Sequence, residues 1–134
     1  MTHDARQITP RILIVDDEDS ILFAMKDYLD RDGFRVDAAR DVAEAKLLLC
    51  RRSYGAVVSD LNLDARYPTQ GLLLLEHVRS SQPGVRTVLL TAYGSPDMEQ
   101  RARALGIDAV LDKSEELRAI SGVLGALTRD ARTR

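Results

Sequence analysis

Short apolar runs alternate five times with longer amphipathic stretches along the chain. Residues 11–15 form a nearly continuous apolar run rich in β-branched side chains, the pattern of a parallel strand covered on both faces. Over 18–32, Ile21, Leu22, Met25 and Leu29 recur at helical spacing, and Gly33 follows as a left-handed terminator. Phe34, Val36 and Ala38 then alternate with Arg35 and Asp37, which predicts an edge strand with one solvated face. Asp41 is placed to cap the next helix, with Glu44 at capping-box spacing and Val42, Ala45, Leu48 and Leu49 inward. Gly55 closes that unit.

Residues 56–59 read as a third strand, followed by a long polar loop over 61–70. A helix over about 71–81 carries Leu72, Leu75 and Val78 inward and stops at Pro83-Gly84. Residues 85–90 are a fourth strand, and Ser95-Pro96 starts a helix with Ala102 and Leu105 inward, ended by Gly106. Residues 109–111 are a short fifth strand. Ser114 is expected to cap a last helix with Leu117, Ile120, Leu124 and Leu127 inward. Gly122 and Gly125 inside it cost roughly 1 kcal/mol each relative to alanine.

Five strand–helix units in strict alternation predict a single α/β domain, a doubly wound five-stranded parallel sheet with five helices. With the edge-like strand second in sequence, the order 2-1-3-4-5 of flavodoxin-like sheets fits. The domain is expected over 11–129, with a flexible lead over 1–10 and a charged tail over 130–134. Composition adds exclusions: 134 residues, 45% hydrophobic and 30% charged, suit one soluble domain with a real core. A net charge of -2 gives no field favouring nucleic acid or an anionic membrane. The arginines at 101, 103, 118 and 129 are scattered rather than striped, which argues against direct DNA binding. Cys50 is the only cysteine, so an internal disulfide or multi-cysteine zinc site is excluded; it is expected to pack as a small apolar residue. No apolar run approaches a membrane span and 1–10 does not resemble a signal peptide, so a cytoplasmic location is expected.

Ligands of open α/β sheets bind outside the carboxyl ends of the strands, where the strand order reverses. There the proposed order gathers Asp16, Asp17 and Asp60, with Glu18 beside them. Clustered carboxylates need a hard divalent cation, and an all-oxygen set with waters suits Mg²⁺. Taken alone, Asp-Asp-Glu is equally well a helix N-terminus. A carboxylate at such a centre can attack phosphorus to give an acyl phosphate. That chemistry also needs a cation and donors around the phosphoryl oxygens, which Lys113 and Thr91 would supply from the ends of strands 5 and 4. Singly, Thr91 is a cap and Lys113 a solvated lysine; together with the acids they form a set.

The motifs 12–18 (Ile-Leu-Ile-Val-Asp-Asp-Glu), 57–60 (Val-Val-Ser-Asp), 89–92 (Leu-Leu-Thr-Ala) and 111–113 (Leu-Asp-Lys) resemble, in type, order and spacing, those of response-regulator receiver domains of two-component signalling. The resemblance implies that Asp60 is the phosphoacceptor, that Asp16 and Asp17 hold Mg²⁺ with Asp60, and that Asn62 adds a backbone carbonyl. It further implies that Lys113 pairs with the phosphoryl group, that Thr91 turns inward to bond it, and that Ala92 leaves room. The donor would be a phosphohistidine on a sensor histidine kinase or phosphotransfer protein. The target would be a protein docking on the face of helix 4, strand 5 and helix 5, and the chain a monomer or a phosphorylation-dependent dimer.

Three positions depart from that pattern. Val110 stands where the family often has an aromatic switch residue, and Ser114 where a proline usually follows the lysine. The loop after Asp60 is about three residues longer than common and carries Tyr67-Pro68. Tyr93 borders the site and is a second candidate modulator, or an exposed loop aromatic. A phosphorylation-independent interaction module and a Mg²⁺-dependent phosphatase are the competing functions; the second would need a lid to exclude water, and no segment is left to build one.

Overall fold

A computed structural model describes residues 10–64, 66–92 and 96–132, with side chains as far as Arg129. Among these, strands and helices alternate as β1 (Arg11–Val15), α1 (Asp19–Arg31), β2 (Arg35–Ala39), α2 (Val42–Arg51) and β3 (Ala56–Asp60). The second half is α3 (Gln70–Ser81), β4 (Arg86–Thr91), α4 (Pro96–Ala104), β5 (Ala109–Asp112) and α5 (Leu117–Arg132). The strands are parallel and ordered β2-β1-β3-β4-β5. The expected doubly wound sheet and its order are therefore present.

Successive strand residues point to opposite sheet faces, and each face has its own helices. Leu13, Val15, Val57 and Leu89 pack with Ala45 and Leu49 of α2, Leu72, Leu75 and Val78 of α3, and Ala102 of α4. Ile12, Ile14, Val58, Val88 and Leu90 pack with Leu22, Met25 and Leu29 of α1 and Ile120 and Leu124 of α5. Burying one such side chain fully contributes about 1.5–3 kcal/mol. Leu105 packs against the first cluster and Leu127 against the second, each half-buried.

The helix ends follow local chemistry. Gly33 (φ 104°) and Gly106 (φ 85°) take the left-handed conformation that ends α1 and α4. Asp41 Oδ1 accepts the Glu44 N–H at 2.8 Å, while Glu44 Oε1 accepts from the Arg40 N–H at 2.8 Å, one residue earlier than in a strict capping box. On β2, Val36 is buried as expected. Asp37, on the strand's other face, is half-buried and accepts the Tyr54 hydroxyl at 2.7 Å, with Arg11 at 3.4 Å.

Three expectations need correction. Ser114 does not cap α5: the Asp112 carboxylate accepts both its N–H (2.8 Å) and its hydroxyl (2.7 Å), making a tight turn, and the helix begins at Leu117. The stretch after Asp60 is not uniformly polar, since Leu61 (8% exposed) and Leu63 (5%) continue the strand's alternation into the first cluster. Cys50 is exposed, because it lies about 100° around α2 from the buried Leu49. The last helix, α5, is described as far as Arg132. Ser95, the expected cap of α4, lies outside the described residues.

Candidate functional site

Three strand ends on one edge of the sheet bring Asp16, Asp60 and Lys113 together. Asp16 follows β1 and its N–H bonds the Ala39 carbonyl at 3.1 Å; Asp60 is the last residue of β3; Lys113 follows β5 and its N–H bonds the Thr91 carbonyl at 2.9 Å. The Lys113 ammonium lies 3.1 Å from Asp16 Oδ2, 3.3 Å from Asp60 Oδ2 and 3.3 Å from Glu18 Oε1. Asp16 and Asp60 are 2% and 6% exposed. Burial pushes the carboxyls of both upward from the ordinary value, and for Asp60 the neighbouring Asp16 charge adds to it. Lys113 first, and then the Asn62 N–H donated to the Asp60 carboxylate, work in the other direction. Burial lowers the Lys113 ammonium, but Asp16 and Asp60 together outweigh that and hold it above its usual value.

Asp16 Oδ1 accepts the Glu18 N–H at 2.9 Å, whereas the buried Oδ2 has no hydrogen-bond donor. The lysine is near enough to pair with that oxygen but off the line of a directed bond. Oxygens of Asp16, Asp17 and Glu18 lie within 4.8 Å of one another, Asp17 and Glu18 being exposed. A buried carboxylate oxygen with an open lone pair, beside two hydrated acids, fits a hard cation that keeps several waters, as Mg²⁺ does. Asp60 is joined to this group through Lys113 rather than packed among the acids.

The end of β3 is fixed from below. Ser59 Oγ donates to the Asp60 carbonyl at 3.0 Å, the Leu61 N–H to the Leu90 carbonyl at 2.8 Å, and the Gly71 N–H to the Leu61 carbonyl at 2.9 Å. A Cβ on Gly71 would sit 1.7 Å from the Asp60 carbonyl oxygen, so only glycine lets α3 start this close to β3. Asn62 Oδ1 accepts the Thr69 N–H at 3.4 Å, next to a left-handed Thr69 backbone (φ 68°) that leads into α3.

The remaining candidates are placed unevenly. Thr91 is buried and shares a cavity beside α4 with half-buried Val110, so its link to Lys113 runs through the backbone. Ala92 is exposed next to it, and Tyr93 lies outside the described residues. Sequence reasoning did not single out Gly71 or Ser59, whose importance is a backbone contact with no side-chain signature. It set Glu18 beside the acids without giving it a partner; that partner is Lys113.

Comparison with known proteins agrees with this geometry. Residues 12–124 match the model of the response regulator receiver domain. The chain is 28% identical over 113 residues to the photosynthetic apparatus regulatory protein RegA of Rhodobacter capsulatus, covering 84% of this chain and 60% of RegA. It is 35% identical over 103 residues to protein PetR of the same species, covering 77% of this chain and 40% of PetR. The chain thus spans less than two thirds of either relative. Among solved structures, a CheY-like response regulator receiver domain protein from Methanospirillum hungatei superposes with a TM-score of 0.85 at 25% identity, over 94% of this chain and 98% of that one. A doubly wound sheet whose strand ends gather two buried aspartates around one lysine, with this match over nearly its whole length, places the chain in the response regulator receiver domain family.

Proposed function

We propose that Asp60 accepts a phosphoryl group in a Mg²⁺-dependent reaction and that the chain works as a switch in a phosphorelay rather than as a turnover enzyme. The observation that carries this reading is Lys113, held within 3.3 Å of both buried aspartates. An Asp60 carboxylate oxygen forms the new bond to phosphorus. The phosphorus–nitrogen bond to the donor's imidazole breaks, its electron pair stays on the imidazole, and water protonates the leaving group as needed. The product is an acyl phosphate whose charge near -2 replaces a single carboxylate charge.

Lys113 is already charged and desolvated beside Asp60, so it pairs with the incoming phosphoryl oxygens without reorganising. Asp16, Asp17, Asp60 and the Asn62 carbonyl would hold Mg²⁺, which supplies charge neutralisation for the phosphoryl group when bound. Thr91 reports the new charge by turning its hydroxyl toward it, and the small side chain of Ala92 leaves the group space. Val110 and Tyr93 stand as modulators of how the change leaves the site.

The donor is a phosphohistidine on a sensor histidine kinase or phosphotransfer protein, and the output is a protein docking on the α4–β5–α5 face, with the chain a monomer or a phosphorylation-dependent dimer. A cytoplasmic setting suits this chemistry, and no helix among the described residues is long and apolar enough to cross a membrane. The test is intact mass after incubation with Mg²⁺ and acetyl phosphate. Wild type should gain one phosphoryl group and Asp60→Ala none. No gain in wild type assigns the chain to phosphorylation-independent binding; rapid turnover of phosphomonoesters assigns it to the phosphatases.

A further inference from the structure

β5 is the weakly covered edge of the sheet. All four of its residues are half-buried, whereas β3 is buried throughout and β4 in all but its first residue. Its covering helix, α4, is nine residues long and fully buries Ala102 alone among its described residues. Between the two lies a cavity of about 330 Å³, with Thr91, Met98 and Val110 among its walls and Glu99, Asp112 and Glu115 along it. That volume falls in the range of ligand pockets and is about twice the roughly 150 Å³ that a benzene-sized guest occupies.

Of the three carboxylates along this opening, Glu99 is compensated by Arg103, and Asp112 and Glu115 leave it acidic. Arg103 pairs with Glu99 at 2.7 Å, Ser114 occupies one oxygen of Asp112, and Glu115 has no ion pair among the described residues. We infer that the α4–β5 cavity seats a large aromatic side chain presented by a partner segment rich in Lys and Arg. An aromatic ring fits the volume, and flanking cations complement the rim while an acidic partner is repelled. Thr91 is both a wall of this cavity and, through its carbonyl, the partner of the Lys113 N–H. Resting on the proposed switch, this makes the seat sensitive to the state of Asp60.

The chain has no tryptophan, so the fluorescence of a peptide indole reports binding directly. The probes are a short helical peptide with one Trp flanked by Lys and Arg, and its counterpart flanked by Glu and Asp. The basic peptide should saturate with a Kd between about 1 μM and 1 mM, the acidic one not at all. Val110→Phe fills the cavity and should weaken the basic peptide at least about tenfold. Glu115→Lys, at an exposed position that leaves the fold alone, should weaken it and admit the acidic peptide. Equal binding of the two peptides, no saturation, or an unchanged Kd in Glu115→Lys overturns the inference. Mass gain with acetyl phosphate is read in parallel. Phosphorylation without peptide binding removes the seat and keeps the switch; peptide binding without phosphorylation keeps the seat and removes the switch.

Discussion

Replacing Gly71 by alanine tests the architecture under Asp60. Gly71 is the second residue of α3, so helix propensity alone predicts that alanine stabilises the chain by up to about 1 kcal/mol. The contact predicts the opposite. The new Cβ would lie 1.7 Å from the Asp60 carbonyl oxygen, 2.8 Å from its carbon and 2.9 Å from Ser59 Oγ, all belonging to a buried central strand. Bringing the first contact out to 3.0 Å requires α3 and β3 to part by about 1.3 Å, breaking the 2.9 Å bond from the Gly71 N–H to the Leu61 carbonyl. Overpacking of this kind costs about 1–3 kcal/mol, and the lost backbone bond about another 1, so the net change is a loss of roughly 2 kcal/mol. Because the displaced atoms belong to Asp60, the proposed acceptor, a shift of about 1 Å should also slow phosphorylation by acetyl phosphate about 100-fold. Urea unfolding measures the first effect and timed intact mass the second. Stability at or above wild type with an unchanged phosphorylation rate would refute the reasoning.

Gly122→Ala is the internal comparison: nothing lies within 4 Å of its Cβ position in α5, so the same substitution should stabilise by about 1 kcal/mol in the same urea assay. Tyr54→Phe removes a 2.7 Å bond to Asp37 and should lose about 1–2 kcal/mol near neutral pH. Burial and then Asp37 raise the Tyr54 phenol above its ordinary 10.0, so wild type holds this stability below pH 10 and sheds it as pH rises further. The gap between the two proteins in thermal unfolding should therefore narrow above pH 10; a gap that widens there contradicts the assignment. Saturating Mg²⁺ should raise the unfolding free energy by about 2.7 kcal/mol at one hundred times its Kd, and Asp16→Asn should abolish most of that gain in a melting titration. Cys50, exposed on α2, should react with a soluble thiol reagent in the folded chain as fast as a free thiol; protection until unfolding contradicts its placement.

Most of the fold was written in periodicity, because each element buries one stripe or one run and the two periods differ. Asp16, Asp60 and Lys113 were legible for the same reason: each ends an apolar run, and the order of such runs dictates which ends meet. What was not legible depends on where backbone atoms, rather than side-chain types, approach one another. Gly71 looks like any helix-starting glycine until the Asp60 carbonyl is placed beneath it. Ser114 carries a capping side chain, but Asp112, two residues earlier, captures it first. Leu61 and Leu63 were hidden by the polar residues around them, although they keep the strand's alternation. Thr91 was placed correctly at its strand end, yet it reaches Lys113 through the main chain and not through its hydroxyl.

The stretch after Asp60 is pinned at both ends, by Leu63 in the core on one side and by Thr69 and Gly71 against Asn62 and Leu61 on the other. The segment between them is therefore a bracketed excursion. Residues between those pins should tolerate lengthening, shortening or replacement as a cassette while Asp60 keeps its seat. The surface nearest the proposed phosphoryl site should thus change its recognition properties without altering the chemistry beside it.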